Sequence, residues 1–540
     1  MRKFISFSLA VGIIAAGVVI QPALAKTPND TLVMAWSLSI YRTLDPADVG
    51  EAFVDEVMNN VCDAAIFLDY DDPSKLVPGI VESWSVSDDA QTYTFKIRQG
   101  LKFPGTGNPV RAEDLAWSMQ RVVLGKFNSS ANLTEWGYTP ENIEELIQAT
   151  DASTVTLKTT QPYAPGLFLA SVMTGRIAFT LDKEEVVKHV KDNDYGNGWL
   201  QSTSACTGPY SVKTWKANDV FIMERNGDEN AYWRHPVSIK RIVIRHVPES
   251  GAERLLLEKN DIDVARLVAS ADLGAIDANP DLKLISSSEY SYWYIGLCQC
   301  DDDLTDVRVR QAFKYLMDYQ SMEDTAMKNV GIWRQSAVPA GSFGAIPRAD
   351  EYYRLDLEKA KELLTAAGFP NGMKKTLIID SQFPFPLIAQ HVKENAAKIG
   401  LELEIQQMAP AQLYGKFRGR DFETGVFRWS TNVADANGML SRHAYNPDNS
   451  DEANLTMFPA WRTGWNTKEL GLNEMVDQGK VEVDTEKRLA LYKKIQEIQL
   501  RESPFAYYFQ GVRNVAVSKR VKGLKVNPLK VFYATVTKDD

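Results

Sequence analysis

Residues Leu76 to Val123 read LVPGIVESWSVSDDAQTYTFKIRQGLKFPGTGNPVRAEDLAWSMQRVV. Within this stretch Tyr93, Phe95 and Ile97 alternate with Thr94, Lys96 and Arg98, the period-two pattern of a strand with one face on a core. Gly100, Pro104, Gly105, Gly107 and Pro109 then break the chain into turns. Ala112 to Val123 has helix-forming composition, with Leu115, Met119 and Val122 on one stripe. Glu113 and Asp114 fall in the first turn of that helix, where the dipole favours negative charge. Physically the stretch is a strand, an irregular turn and a helix, and it names no activity.

As a string it resembles the signature of the large extracellular solute-binding proteins of ABC importers, bacterial solute-binding protein family 5, whose members carry dipeptides, oligopeptides and in some cases nickel. The matching pieces are PGIVESW, DDAQTYTFKIRQGLKF and NPVRAEDLAWSMQR. The resemblance implies an α/β, two-lobed periplasmic-binding-protein fold of the large type II class, with mixed sheets and an additional domain inserted in the first lobe. It implies lobe I from 26–67, 203–297 and 505–540, the inserted domain from 68–202, and lobe III from 298–504. Crossing segments near Leu297 to Asp303 and Phe505 to Gly511 would then form the hinge.

Working outward, residues 1–25 read as a secretory signal. Arg2 and Lys3 start it, Leu9 to Ile20 is apolar, and Ala23-Leu24-Ala25 is a small-x-small cleavage site. The apolar run is too short to span a bilayer, and no later run approaches the roughly 18 residues needed. The expected product is periplasmic. Lys26 rather than Cys follows the cut, which argues against a lipid anchor. A formal charge of −10 argues against nucleic acid or anionic membranes as partners. In an exported chain Cys62, Cys206, Cys298 and Cys300 permit three disulfide connectivities. Cys298 and Cys300 lie two apart on what reads as a strand, a spacing that disfavours bonding each other.

The rest of the chain fits a lobe that is left and re-entered. Thr31 to Ser37 reads as a buried strand, and Val54, Val57, Met58 and Val61 mark a helix. TGPY at Thr207 to Tyr210 is a turn into a strand and matches a family marker. Tyr292 to Leu297 reads as a strand. Asp306 and Asp356 stand as N-caps of helices, Leu401, Leu403 and Ile405 alternate, and Thr485 to Glu502 is helical. Helix and strand in alternation predict a mixed α/β sheet.

Catalytic signatures are missing. There is no GxSxG elbow, Ser-x-x-Lys pair, HExxH or phosphate loop, and the GxG at Gly105 is not a dinucleotide motif. His189, His235, His246, His391 and His443 do not fall at metal-ligand spacing, and the acidic strings at Asp69 and Asp301 do not match a calcium loop, so no metal and no cofactor are expected. A secreted hydrolase with a carboxylate pair is the reading from another class, without a constellation to support it.

The segment Phe427 to Asn437, FRWSTNVADAN, should emerge at a strand end facing the cleft. In peptide-binding members a Trp here lies by the ligand, and an Asp three residues on pairs with the peptide ammonium. Trp429 matches, flanked by Arg428 and Thr431, but the residue three on is Asn432, which accepts a hydrogen bond without neutralising charge. Asp435 is the candidate to take over that role. The family also places an Arg and a Tyr around a Pro to grip the ligand carboxylate. Here SQFPFP puts Phe383 and Phe385 there, which offer apolar area and no clamp. Arg428, Arg418 or Arg462 would then supply the missing cation, and Trp461 and Trp465 would form a lid or a plain anchor. The expected function is a monomeric periplasmic receptor that delivers a di- or oligopeptide, or a peptide-like compound, to an ABC importer permease. An opine-like or sugar-type ligand is the alternative.

Overall fold

The computed structural model describes residues 26–39, 42–49, 52–227, 236–347 and 352–539. The proposed signal segment and His235 lie outside them. Two long strands organise the chain, Leu282–Leu297 and Phe505–Ser518, paired antiparallel along most of their length. Tyr290 to Leu297 and Phe505 to Phe509 are buried without alternation. That is the pattern of strands covered on both faces.

These two strands are the middle of an eleven-stranded mixed sheet. On one side the order continues through Thr424–Ser430, Met373–Asp380 and Leu401–Met408, the last two parallel. On the other it runs through Val264–Ala265, Thr31–Trp36, Arg241–His246, Val220–Arg225 and Tyr210–Lys216. Gly331–Trp333 adds to Phe505–Ser518 beside the centre. The pairing shifts register twice, by one residue between Trp293 and Tyr294, where Tyr508 is extra, and more widely in the middle. Ser288 faces Val512 and Tyr292 faces Gln510, so Glu289, Tyr290 and Ser291 bulge opposite Gly511 alone.

The hydrophobic cores fall on either side of that break. Tyr292 to Leu297 and Phe505 to Phe509 pack into the core of lobe III, whereas Val515 and Val517 pack into that of lobe I. The crossing therefore lies near residues 289–291 and 510–512, not at Leu297 to Asp303. The serine-rich half Leu282 to Ser288 carries little apolar signal, which is why the strand reads short in sequence. A second correction concerns the inserted domain. Phe179, Leu181, Val186 and Leu200 pack with lobe I, so its own core closes near Ala178.

The inserted domain is an antiparallel sheet ordered Val81–Val86, Thr92–Ile97, Thr154–Lys158, Ile147–Asp151, with helix Ala112–Leu124 against it. Tyr93, Phe95, Leu115 and Met119 meet in its core, as the alternation and the helical stripe predict. Asp114 accepts the Arg111 N–H at 2.8 Å and caps the helix. Arg121 reaches out of this helix to lobe I, where its two terminal nitrogens each lie 2.8 Å from a carboxylate oxygen of Asp45. Both side chains are almost fully buried. The TGPY turn depends on its glycine, because a Cβ at Gly208 would lie 2.3 Å from the Val61 carbonyl oxygen.

Cys62 bonds Cys206, tying the end of helix Ala52–Val61 to the TGPY element. Cys298 also bonds Cys300, against the expectation from spacing. The strand ends at Leu297, so the two cysteines sit in the turn that follows, with Cα atoms 5.0 Å apart.

Losing one member of a buried ion pair strands the other charge. Asp45→Asn is expected to lower unfolding stability by about 3–5 kcal/mol. A urea transition monitored by circular dichroism checks this, and an unchanged midpoint would show that the pair contributes nothing.

Candidate functional site

The strand Thr424–Ser430 runs into the expected segment, and residues 429 to 433 run along one wall of a cavity of about 850 Å³. All three domains border it. Trp36 and Arg266 come from lobe I, Glu135 and Trp136 from the inserted domain, and Trp429 and Asn432 from lobe III. Trp429 is held from behind by the His443 ring at 5.4 Å and the Arg462 guanidinium at 5.4 Å. Its remaining face is left to the cavity. His443 sits among Tyr292, Tyr294, Phe505 and Tyr507, where burial pushes its imidazole well below the ordinary range and keeps it neutral.

Thr431 is fixed by its N–H to the Tyr290 carbonyl at 2.9 Å, and its hydroxyl accepts the Val433 N–H. Gly438 leaves room for that hydroxyl, since a Cβ there would lie 2.6 Å away. Asn432 faces the cavity and makes no side-chain hydrogen bond among the described residues. Arg428 also lines the wall, so four of the expected residues, Arg428, Trp429, Thr431 and Asn432, come together.

The other expected residues do not reach the cavity. Asp435 starts helix Asn437–His443, where its carboxylate accepts the Asn437 N–H at 2.9 Å and meets buried Arg488 at 2.5 Å. Its carboxylate is engaged within the protein, and it does not line this cavity. Phe385 opens helix Phe385–Ala397 and turns inward with Ile388 and Ala389, so it belongs to the lobe III core. Phe383 is half exposed in the preceding turn and does not line this cavity. Arg418 is exposed at a helix end, while Arg462 is buried and donates to the Thr456 carbonyl. Trp461 and Trp465 are buried anchors, not a lid.

The cavity is lined by six basic side chains, Arg176, Arg266, Arg428, Arg442, Lys480 and Arg513, and five acidic ones, Asp55, Glu56, Glu135, Glu289 and Asp477. Most are paired across elements. Arg266 bonds Glu56, which also accepts the Tyr533 hydroxyl at 2.7 Å, and Arg176 stands 3.6 Å from Asp55. Arg442 reaches from lobe III to Glu135 of the inserted domain at 2.7 Å. Lys480 lies 4.5 Å from the Trp136 ring centroid, and burial lowers its ammonium below the ordinary range. Asp477 is more lightly engaged, by the Tyr445 hydroxyl at 3.4 Å, and burial raises its carboxyl.

Sequence reading missed Glu135, Glu289, Asp477 and Arg513. Each sits in a stretch without a motif, and only tertiary structure brings them around one cavity.

The sequence matches the family described as bacterial extracellular solute-binding proteins, family 5, over residues 75–451. It is 24% identical over 451 residues to the probable D,D-dipeptide-binding periplasmic protein DdpA of Escherichia coli, covering 83% of this chain and 82% of that protein. It is 26% identical over 472 residues to heme-binding protein A of Haemophilus influenzae, covering 84% and 82%. Among solved structures it resembles the periplasmic binding protein DppA of Helicobacter pylori in complex with the peptide STSA, at a TM-score of 0.74 and 22% identity over 94% of this chain and 98% of that one.

If Asp435 serves Arg488 and not a ligand, Asp435→Asn should cost about 3–5 kcal/mol of stability and leave ligand affinity of the folded fraction unchanged. Chemical denaturation and equilibrium binding, measured on the same preparation, separate the two. Weaker binding at full stability would return Asp435 to the ligand.

Proposed function

The chain belongs to the bacterial extracellular solute-binding proteins, family 5, and from that premise we propose that it captures a di- or oligopeptide, or a peptide-like zwitterion, between its lobes and delivers it to an ABC importer. Such a receptor changes no bond. The observation that carries the ligand reading is the wall of six cations and five carboxylates around 850 Å³ beside Trp429. A cavity of that size holds a small peptide. Most of these charges are partnered within the protein; what is left for a ligand is the extra cation and the lightly engaged Asp477, which suit a ligand carrying both signs better than an uncharged sugar. Relatives named for dipeptide and glutathione binding favour peptides; one named for heme shows that ligands vary among the relatives.

In the proposed cycle the lobes rotate about the register break and shut on the ligand, driven by its preferential contacts with the closed form. The closed receptor then docks on the permease as a monomer. Export by cleavage after Ala25 belongs to the same proposal.

Trp429, Thr431, Asn432 and Arg428 are the residues proposed to meet the ligand from lobe III. Mass spectrometry of the solute released by denaturing natively purified protein tests the reading. A peptide or peptide-like zwitterion is expected, and recovery of only uncharged or apolar compounds would overturn it. Trp429→Ala should weaken binding of that solute by at least about tenfold. In a thermal-shift assay, solute at 100 times its Kd should stabilise the wild type by about 2.7 kcal/mol.

A further inference from the structure

At the register break the cavity floor carries a charge imbalance. The Glu289 carboxylate is shared by two guanidiniums, Arg428 from strand Thr424–Ser430 and Arg513 from strand Phe505–Ser518. Arg513 Nε donates to Glu289 Oε1 at 3.3 Å, and among the described residues that is its one side-chain bond. Arg428 also donates to the Ser291 hydroxyl at 3.1 Å, and Ser291 donates to Glu289 Oε2 at 2.9 Å. Arg428 is further held 5.3 Å from the Trp293 ring centroid. Two cations and one anion leave one positive charge, and all three side chains line the cavity.

The arrangement is built into the backbone. The bulge of Glu289, Tyr290 and Ser291 opposite Gly511 turns Glu289 and Ser291 onto one face, and a Cβ at Gly511 would lie 2.7 Å from the Ser291 hydroxyl and 2.9 Å from Glu289 Oε2. Glycine there lets the carboxylate settle over the strand without displacing it. Burial alone would raise that carboxyl. The Arg428 and Arg513 charges and the bonds from Ser291 and Arg513 outweigh burial and hold it below the ordinary carboxylate range.

We infer that Arg513 and Arg428 form the subsite for a carboxylate of the ligand, with Glu289 as the positioning residue that keeps both forks aimed into the cavity. Guanidinium forks match a carboxylate bidentately, and a ligand carboxylate would cancel the residual charge. The subsite lies where the two lobes join, so it engages ligand at the hinge rather than on one lobe. This rests on the proposed function for the cavity but does not require the ligand to be a peptide.

The test is a selection by mass spectrometry. Purified protein, stripped of bound solute, is incubated with an equimolar tripeptide library made both as free acids and as C-terminal amides. A second arm uses small organic acids and their primary amides in a thermal-shift assay. In the first arm the wild type should retain acids over amides by at least tenfold. Arg513→Gln should cut that preference by about ten- to a hundredfold, the loss of a charge-assisted bond. Arg513→Lys should restore part of it, and Arg418→Gln, the same charge change outside the cavity, should leave it intact. Circular dichroism verifies that each variant is folded. Equal retention of acids and amides, or an unchanged preference in Arg513→Gln, overturns the inference. If no tripeptide is retained while organic acids still stabilise the wild type over their amides and Arg513→Gln abolishes this, the carboxylate subsite stands and the peptide reading falls. No acid preference in either arm overturns the subsite.

Discussion

Backbone pairing between Leu282–Leu297 and Phe505–Ser518 is the constraint on which the rest depends. An antiparallel ladder is stiff along its length, because each residue that slips exchanges core-facing for solvent-facing side chains. Here the ladder is interrupted most widely between the lobes, at Glu289 to Ser291 opposite Gly511, and inside lobe III only by a one-residue shift at Tyr508. A bend therefore costs little at the break and a great deal on either side of it. Tyr292, Tyr294, Phe505 and Tyr507 lock the lobe III side into an aromatic core, and Val515 and Val517 lock the lobe I side. The same interruption, the proposed hinge, also brings two polar side chains, Glu289 and Ser291, to the cavity.

What was legible in the sequence was local. The alternation at Tyr93 to Ile97, the stripe on the helix after Arg111, the caps at Asp306 and Asp356 and the helix Thr485–Glu502 all follow from spacing over a few residues, and the structure has them. The emergence of Trp429 at a strand end is of the same kind. Asp435 is the instructive failure. It follows Trp429 closely, but a helix begins two residues later and turns the carboxylate onto Arg488, 53 positions further along the chain. Phe385 fails likewise, because the helix it opens has its own apolar face. The subsite at the break was illegible for a stricter reason. Glu289 and Arg513 are 224 residues apart, and they meet because two strands lose register, which no local pattern records.

The inserted domain does more than cap lobe I. Arg121 anchors it through Asp45, while Glu135 and Trp136 reach over the cavity to Arg442 and Lys480. The inserted domain thus carries cleft residues that a plain two-lobed receptor would have to supply from lobe I. The signature helix, the stretch that first identifies the chain, contributes to function indirectly. Its Arg121 fixes the platform on which Glu135 stands.

These contacts also decide what must drive closure. Across the cleft the protein bonds to itself through Arg442 and Glu135, through Lys480 over Trp136 and to the Glu135 carbonyl at 2.5 Å, and through the Ala164 N–H to the Lys480 carbonyl at 3.1 Å. Arg442 and Glu135 keep 23% and 35% of their side-chain surface exposed, and a pair so wetted contributes about 0.2–1 kcal/mol. Moving a two-state equilibrium from mostly open to mostly closed takes about 5.5 kcal/mol of differential binding. The wetted Arg442–Glu135 pair by itself falls well short of that. In the proposed cycle the balance comes from a ligand that touches both lobes at once, as would a solute held at the register break by Arg428 and Arg513 with its body between Trp429 and the inserted domain.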